Sequence, residues 1–165
     1  MAFLISPARN DGVDAEAILT IDGACFAEST VNIAAELERS WAHVWVARLD
    51  DATSEPRAFL LAWLVGDELH VLSVATLPGF RRRGLARALL EHALAFARER
   101  KVRIVLLEVR RSNRSAIRLY RAFGFSATRV RPRYYADNGE DAIEMALTLD
   151  PVTGQALLGR DEVDI

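Results

Sequence analysis

Four groups of residues in this 165-residue chain have types and spacings suited to chemistry. The first is Arg81-Arg82-Arg83-Gly84-Leu85-Ala86, at the point where an apolar strand pattern gives way to an amphipathic helical one. A helix N-terminus exposes backbone N–H groups with no intrahelical partner and carries partial positive charge, a combination that binds phosphate. Gly84 and the small Ala86 leave room for a bulky anion to approach the backbone. A solvated basic turn fits the same residues. The second group is Glu108, at the end of an otherwise apolar strand run. A carboxylate there is costly without a partner or a purpose, and partial desolvation would make it a better base near neutral pH. An ion pair with Arg110 or Arg111 explains it equally well. The third is Asn113 with Tyr120, seven residues apart and so on one face of a helix that follows that strand directly. Glu108, Asn113 and Tyr120 then converge near one strand terminus, where α/β folds place ligands. Tyr120, flanked by Ile117 and Phe123, reads also as a core aromatic. The fourth is Tyr134-Tyr135, before a turn at Asn138-Gly139.

These groups need elements to hold them. Phe3 to Ile5 predicts a first strand, and Asp11 and Asp14 offer starts for a helix through Ala17, Ile18, Ile21 and Cys25. A second helix is expected from Thr30 to Arg39. Val44, Val46 and Leu49 open a strand region; Ala58 to Val65 and Leu69 to Ala75 flank a Gly66-Asp67 turn, giving an antiparallel meander. Leu85, Leu89, Ala93, Phe96 and Ala97 recur at helical spacing and predict a helix from Gly84 to Glu99. Ile104 to Val109 reads as a buried strand, Asn113 to Ala122 as a helix closed by Gly124, and Phe125 to Val130 and Ala142 to Leu149 as the last strands. Strand, helix, strand in the middle implies a crossover and a parallel pair. The fold class is α/β: a mixed, mostly antiparallel sheet with a central parallel pair and flanking helices. One domain is expected over residues 1–150, with residues 151–165 an acidic, frayed tail.

Hydrophobic residues make up 51% of the chain and charged ones 27%, a balance that excludes wholesale disorder. The net charge of −2 hides a segregation: between Arg81 and Arg133 stand 16 basic and three acidic residues, and elsewhere five basic and 20 acidic. Such a block suits an anionic partner, either a polyphosphate ligand or a nucleic acid. Cys25 is the one cysteine, far in sequence from the other groups, so no intrachain disulfide or cysteine-based zinc site can form. His43, His70 and His92 lack metal-ligand spacing, and no metal is expected. The longest apolar run, Ala58 to Val65, is too short for a membrane span, and no secretory signal is visible. A cytoplasmic protein without membrane partners is expected.

The strand–helix junction Arg81-x-x-Gly84-x-Ala86 resembles the signature of the GNAT N-acetyltransferases, in which the loop's backbone amides hold the pyrophosphate of acetyl-CoA. By that resemblance Arg81, Arg82, Arg83, Gly84, Leu85, Ala86 and Arg87 bind the cofactor. Val74-Ala75-Thr76 matches the strand end that pairs with the pantetheine arm. The resemblance runs from Ile5-Ser6-Pro7-Ala8 to Met145-Ala146-Leu147 and is strongest over residues 72–125. Within the family, Leu107-Glu108-Val109-Arg110-x-Ser112-Asn113 and Ala116-Ile117-x-Leu119-Tyr120-x-x-Phe123-Gly124-Phe125 resemble the ribosomal-protein-alanine N-acetyltransferases. That likeness implies Glu108 as proton acceptor, Asn113 as a CoA contact, and Tyr120 as proton donor and cofactor contact. Tyr134-Tyr135 before Glu140-Asp141-Ala142 and Met145 is similar to the loop that lies over the peptide in enzymes that acetylate protein N-termini.

The implied reaction is direct acetyl transfer from acetyl-CoA to an N-terminal α-amine, with the N-terminal alanine of a small-subunit ribosomal protein as acceptor. The α-amine is partly neutral near pH 8, so the base has modest work. Backbone N–H groups of Val74 to Thr76 are expected to stabilise the oxyanion. One departure stands out: the Pro-Trp pair that follows the phenylalanine in the family is absent from Ala27-Glu28-Ser29-Thr30-Val31, after Phe26. Acetylation of a lysine or of a small-molecule amine is the nearest alternative. A non-catalytic RNA- or ribosome-binding module is a third, and the basic block lacks the interleaved aromatics of a base-stacking surface; direct nucleic-acid binding is not required.

Overall fold

The computed structural model describes residues 2–27, 31–49 and 54–165. Its elements are β1 (Phe3–Pro7), α1 (Val13–Cys25), α2 (Ile33–Glu38), β2 (Ala42–Leu49), β3 (Pro56–Val65), β4 (Glu68–Thr76), a single 3-10 turn (Pro78–Phe80), α3 (Leu85–Glu99), β5 (Ile104–Arg110), α4 (Arg114–Ala122), β6 (Ser126–Arg131), β7 (Ala142–Leu149) and β8 (Ala156–Leu157). The chain divides into two compact units, Met1–Leu64 with Leu72–Ala95, and Val65–Val71 with Phe96–Ile165.

In the first unit β1 pairs antiparallel with β2, and β2 pairs antiparallel with β3, the latter as the expected meander requires. Ile18, Ile21, Ile33, Val44, Val46, Phe59, Leu61 and Ala75 form its core. The start of α1 shows how a helix is set by short polar side chains. Asp11 Oδ1 accepts the N–H groups of Val13 and Asp14 at 3.1 and 3.4 Å, while Gly12 turns the chain at φ +83°. Asp14 plays a different part from the expected cap. It is fully buried, and its Oδ2 accepts Arg48 Nη2 at 2.5 Å. Asn32 caps α2 by accepting the Ala35 N–H at 3.1 Å, so that helix starts later than Thr30, which lies outside the described residues.

In the second unit the first half of β4 runs parallel to β5, with Glu68 opposite Ile104 and Val71 opposite Leu107. β5 pairs antiparallel with β7, and β7 with β6. The expected mixed sheet with one parallel pair is therefore present. Buried Val105, Leu107 and Val109 alternate with half-buried residues along β5, the period-2 pattern of a strand with two unlike faces. The tail differs from the frayed segment expected. β8 pairs with β7, Asp161 Oδ1 accepts the Ala127 N–H at 2.9 Å, and Asp161 Oδ2 meets Arg121 at 2.5 Å. A second backbone bond, Glu162 N–H to Ala127 O at 2.8 Å, covers the outer edge of β6 there. Among the described residues no helix is long and apolar enough to cross a membrane.

Candidate active site

The anion-binding loop belongs to the first unit. Beyond β4, the Leu77 N–H donates to Arg57 O at 2.8 Å, and the 3-10 turn brings Phe80 beside two guanidinium groups, Arg57 at 4.6 Å and Arg83 at 5.1 Å from its ring centroid. Two residues then adopt left-handed backbone, Arg82 at φ +63° and Gly84 at φ +84°. The first helical bond of α3 runs from Ala88 N–H to Gly84 O at 3.0 Å. The N–H groups of Leu85, Ala86 and Arg87 therefore have no carbonyl behind them in the helix. Buried Leu85 anchors this end, while Arg81, Arg82, Arg83, Gly84 and Arg87 are exposed. A Cβ on Gly84 would come no closer than 3.6 Å to any atom, so the glycine is required by its backbone angle rather than by crowding. Left-handed turns feeding a helix N-terminus form an anion-binding concavity, and these residues fit a pyrophosphate.

Val74, Ala75 and Thr76 end β4, with Ala75 in the core. The Thr76 carbonyl accepts Arg81 Nε and the Cys25 thiol, each at 3.3 Å. Cys25, remote in sequence, thus reaches this strand end. Its Sγ also accepts Arg81 Nη2 at 3.5 Å.

The titratable cluster belongs to the second unit. Glu108 is not the last strand residue, as β5 continues to Arg110. Its carboxylate pairs with neither Arg110 nor Arg111. Arg131 Nε on β6 lies 3.2 Å from Glu108 Oε1, an ionic contact without hydrogen-bond alignment. A hydrogen bond with Glu108 is the first cause that raises the Tyr134 phenol above its ordinary value, ahead of burial. Arg110 turns to the β6–β7 loop: Nη2 meets Asp137 at 2.9 Å, Nη1 meets Glu140 at 3.4 Å, and its guanidinium carbon stands 3.9 Å from the Tyr135 ring centroid. Glu140 Oε2 accepts the Ser112 N–H at 2.7 Å, and its bonds to Ser112 hold that carboxyl below its usual range. Tyr134 and Tyr135 meet edge to face at 5.1 Å.

Asn113 stands just before α4 and Tyr120 in its last turn. Asn113 precedes α4 as its N-cap, its Oδ1 accepting the Ala116 N–H at 3.2 Å, and it is exposed, whereas Tyr120 is 8% exposed. The C-terminus of α4 is closed by two bonds, Gly124 N–H to Arg121 O and Phe125 N–H to Tyr120 O, with Gly124 at φ +99°. This lock fixes Tyr120, whose ring contacts Phe125 at 5.9 Å. Burial, then the nearby Tyr135, pushes its hydroxyl up to about 12. Tyr135 is also pushed up to about 12, by burial first, against the lowering effect of Arg110. Both phenols keep their protons at neutral pH.

Glu108 is flanked by Glu144 and Arg131, and Thr128 bonds Glu144 in turn. Glu144 on β7 is the direct cross-strand partner of Glu108. Arg131 Nη2 bonds Glu144 Oε2 at 3.0 Å, and Thr128, at an irregularity in β6, donates to Glu144 Oε1 at 3.2 Å. Arg131 stands three residues before Tyr134 in the chain, but its aim depends on strand register. The histidines bind ordinary partners: His70 meets Glu68 at 2.7 Å, while His43 and His92 pack on Trp45. Among the described residues no group of His, Cys, Asp or Glu could hold a metal ion.

Comparison with known proteins accords with this geometry. The [ribosomal protein bS18]-alanine N-acetyltransferase of Escherichia coli (strain K12) is 44% identical over 94 residues, 56% of this chain and 64% of that protein. The chain thus matches just under two thirds of that relative's length. An N-alpha-acetyltransferase of Sulfurisphaera tokodaii is 46% identical over 81 residues, 48% of each chain. The crystal structure of the E. coli ribosomal-protein-S18-alanine N-acetyltransferase superposes with a TM-score of 0.79 at 28% identity, covering 99% of this chain and 100% of that one. The model of the acetyltransferase (GNAT) family matches residues 15–125, and the chain belongs to that family.

Proposed function

We propose that this protein transfers the acetyl group of acetyl-CoA to the N-terminal α-amine of a protein, acting in the cytoplasm on the N-terminal alanine of a small-subunit ribosomal protein. The carrying observation is the meeting of Glu108 with the Tyr134-Tyr135 loop: one carboxylate, two residues inside the end of β5, hydrogen-bonded to a loop tyrosine suited to a peptide backbone. The names of the relatives, which acetylate N-terminal alanine or α-amines, support the same acceptor.

Acetyl-CoA supplies the acetyl group as an activated thioester. The N–H groups at the start of α3 and the side chains of Arg81 to Arg83 and Arg87 bind its pyrophosphate. Asn113 contributes a further contact through the part of its side chain not engaged in capping. Glu108, directly or through a water, accepts the proton that the amine loses as its bond to the acetyl carbon forms and the carbon–sulfur bond breaks. Backbone N–H groups of Val74 to Thr76 stabilise the oxyanion. Tyr120 acts on the departing sulfur. A phenol held at about 12 gives up its proton to a thiolate, whose thiol titrates near about 8.5, only uphill, so its contribution is a hydrogen bond as charge develops. Tyr134 and Tyr135 hold the acceptor peptide.

The test is CoA release from acetyl-CoA with two peptides, one with a free N-terminal alanine and one with a blocked N-terminus and an internal lysine. Release with the first alone is expected. Release with the second alone assigns the site to lysine, and release with neither overturns the reading.

A further inference from the structure

Glu108 and Glu144 are paired directly across β5 and β7, so their side chains project from the same face of the ladder. Like charges in that position repel, and neither has a cation on its own strand aimed at it. Arg110 is committed to Asp137, Glu140 and Tyr135, and Arg111 to Asp141 at 3.1 Å. The cation comes from a third strand. Arg131 on β6 sets Nε against Glu108 at 3.2 Å and Nη2 against Glu144 at 3.0 Å, so one guanidinium spans both carboxylates. Those contacts in turn hold Arg131 protonated beyond its ordinary range, the hydrogen bond to Glu144 first and the charge of Glu108 second. The two contacts are unlike. The Glu144 arm is hydrogen-bonded and buttressed by Thr128, whereas the Glu108 arm is ionic and unaligned, although Arg131 Nε is buried.

We infer that Arg131 is a positioning residue for the reaction. Anchored on Glu144, it offsets the repulsion between the two glutamates and holds the Glu108 carboxylate in place beside Tyr134. The looser arm leaves Glu108 oxygen lone pairs available to an incoming amine. A rigid, two-pronged guanidinium can make both contacts from one side chain, which a lysine cannot. This rests on Glu108 being the base of the proposed acetyl transfer.

The test is a double-mutant cycle read twice, on kinetics and on thermal unfolding. In R131Q, kcat should fall about 10-fold or more with the peptide KM within about threefold, since placement of the base and not peptide binding is lost. Adding E144Q removes the carboxylate left unpaired, and R131Q/E144Q should regain about threefold or more of that kcat and part of the lost Tm. R131K should lie between wild type and R131Q. A bystander arginine predicts otherwise: R131Q with wild-type kcat, or a double variant whose losses in kcat and Tm merely add, overturns the assignment. Absence of turnover in the wild type would overturn the acetyl-transfer reading and with it any role in that reaction. The Tm cycle would still decide whether Arg131 neutralises the glutamate pair.

Discussion

The guanidinium of Arg110 lies 3.9 Å from the ring centroid of Tyr135 and is bonded to Asp137 and Glu140, so the strand that carries Glu108 also grips the tyrosine loop. The loop's anchor, Arg110, and the proposed base, Glu108, stand two apart on one strand. Cation–π contact and ion pairing act together here, with the guanidinium under one-third exposed.

Releasing that grip should affect the acceptor and spare the cofactor. In R110Q the peptide KM is expected to rise about 10-fold, while KM for acetyl-CoA stays within about twofold, because misplacement of a positioning loop acts on what it touches. Steady-state kinetics with each substrate varied in turn separates the two. Equal changes in both would show that Arg110 serves the whole fold.

Removing the proposed base should leave the cofactor bound. E108Q keeps size and hydrogen bonding but cannot take a proton, and its kcat should drop about 100-fold or more. Y120F removes one hydrogen bond and should cost less, about 10-fold. Acetyl-CoA affinity by calorimetry should stay near wild type in both. Full activity in either variant would remove that residue from the mechanism.

The two raised phenols link stability to alkaline pH. Tyr120 and Tyr135 each titrate at about 12 in the fold and near about 10 when unfolded. Between those values the unfolded chain loses protons that the folded chain keeps, so stability present below pH ~10 is lost as pH rises toward ~12. Tm should fall over this window, and Y120F should flatten the fall. An identical alkaline slope in the variant would contradict the burial of that hydroxyl.

Gly84 sits at φ +84° where its own Cβ would meet nothing closer than 3.6 Å. The penalty for G84A is thus backbone strain, about 1–2 kcal/mol. If the backbone relaxes to avoid it, the turn before α3 changes. Acetyl-CoA binding should weaken more than the stability loss implies, measurable by calorimetry beside thermal unfolding.

At the start of α1, Asp14 and Arg48 are 0% and 2% exposed and bonded at 2.5 Å. Burial alone would raise the Asp14 carboxyl, but hydrogen bonds from Arg48 and Arg9 outweigh it and hold the group below its usual value. Its stabilising effect is present above pH ~4 and is lost as pH falls through the lower folded value. D14N should cost about 3–5 kcal/mol at neutral pH by stranding a buried cation, and should show a shallower acid-side loss of Tm.

Sequence alone determined the elements and the place of the proposed phosphate loop. Helical and strand periods follow from local geometry, so α3, β3, β5 and β7 were legible from the spacing of Leu85, Leu89 and Ala93 or from unbroken runs such as Ala58 to Val65. The loop was legible for the same reason, since Arg81 to Ala86 adjoin in the chain and a helix start needs nothing distant to expose its N–H groups. Spacing misled where ends matter: Asn113 caps α4 from just outside it, and Glu108 lies two residues inside its strand. Only the tertiary structure decided the charge partners. Arg110 and Arg111 were nearest to Glu108 in sequence, yet ion pairs with the β6–β7 loop, to Asp137 and Glu140 and to Asp141, take them elsewhere. Arg131 and Glu144, 23 and 36 residues away, reach Glu108 because strand pairing, which no local pattern encodes, brings β6 and β7 beside β5 in one register.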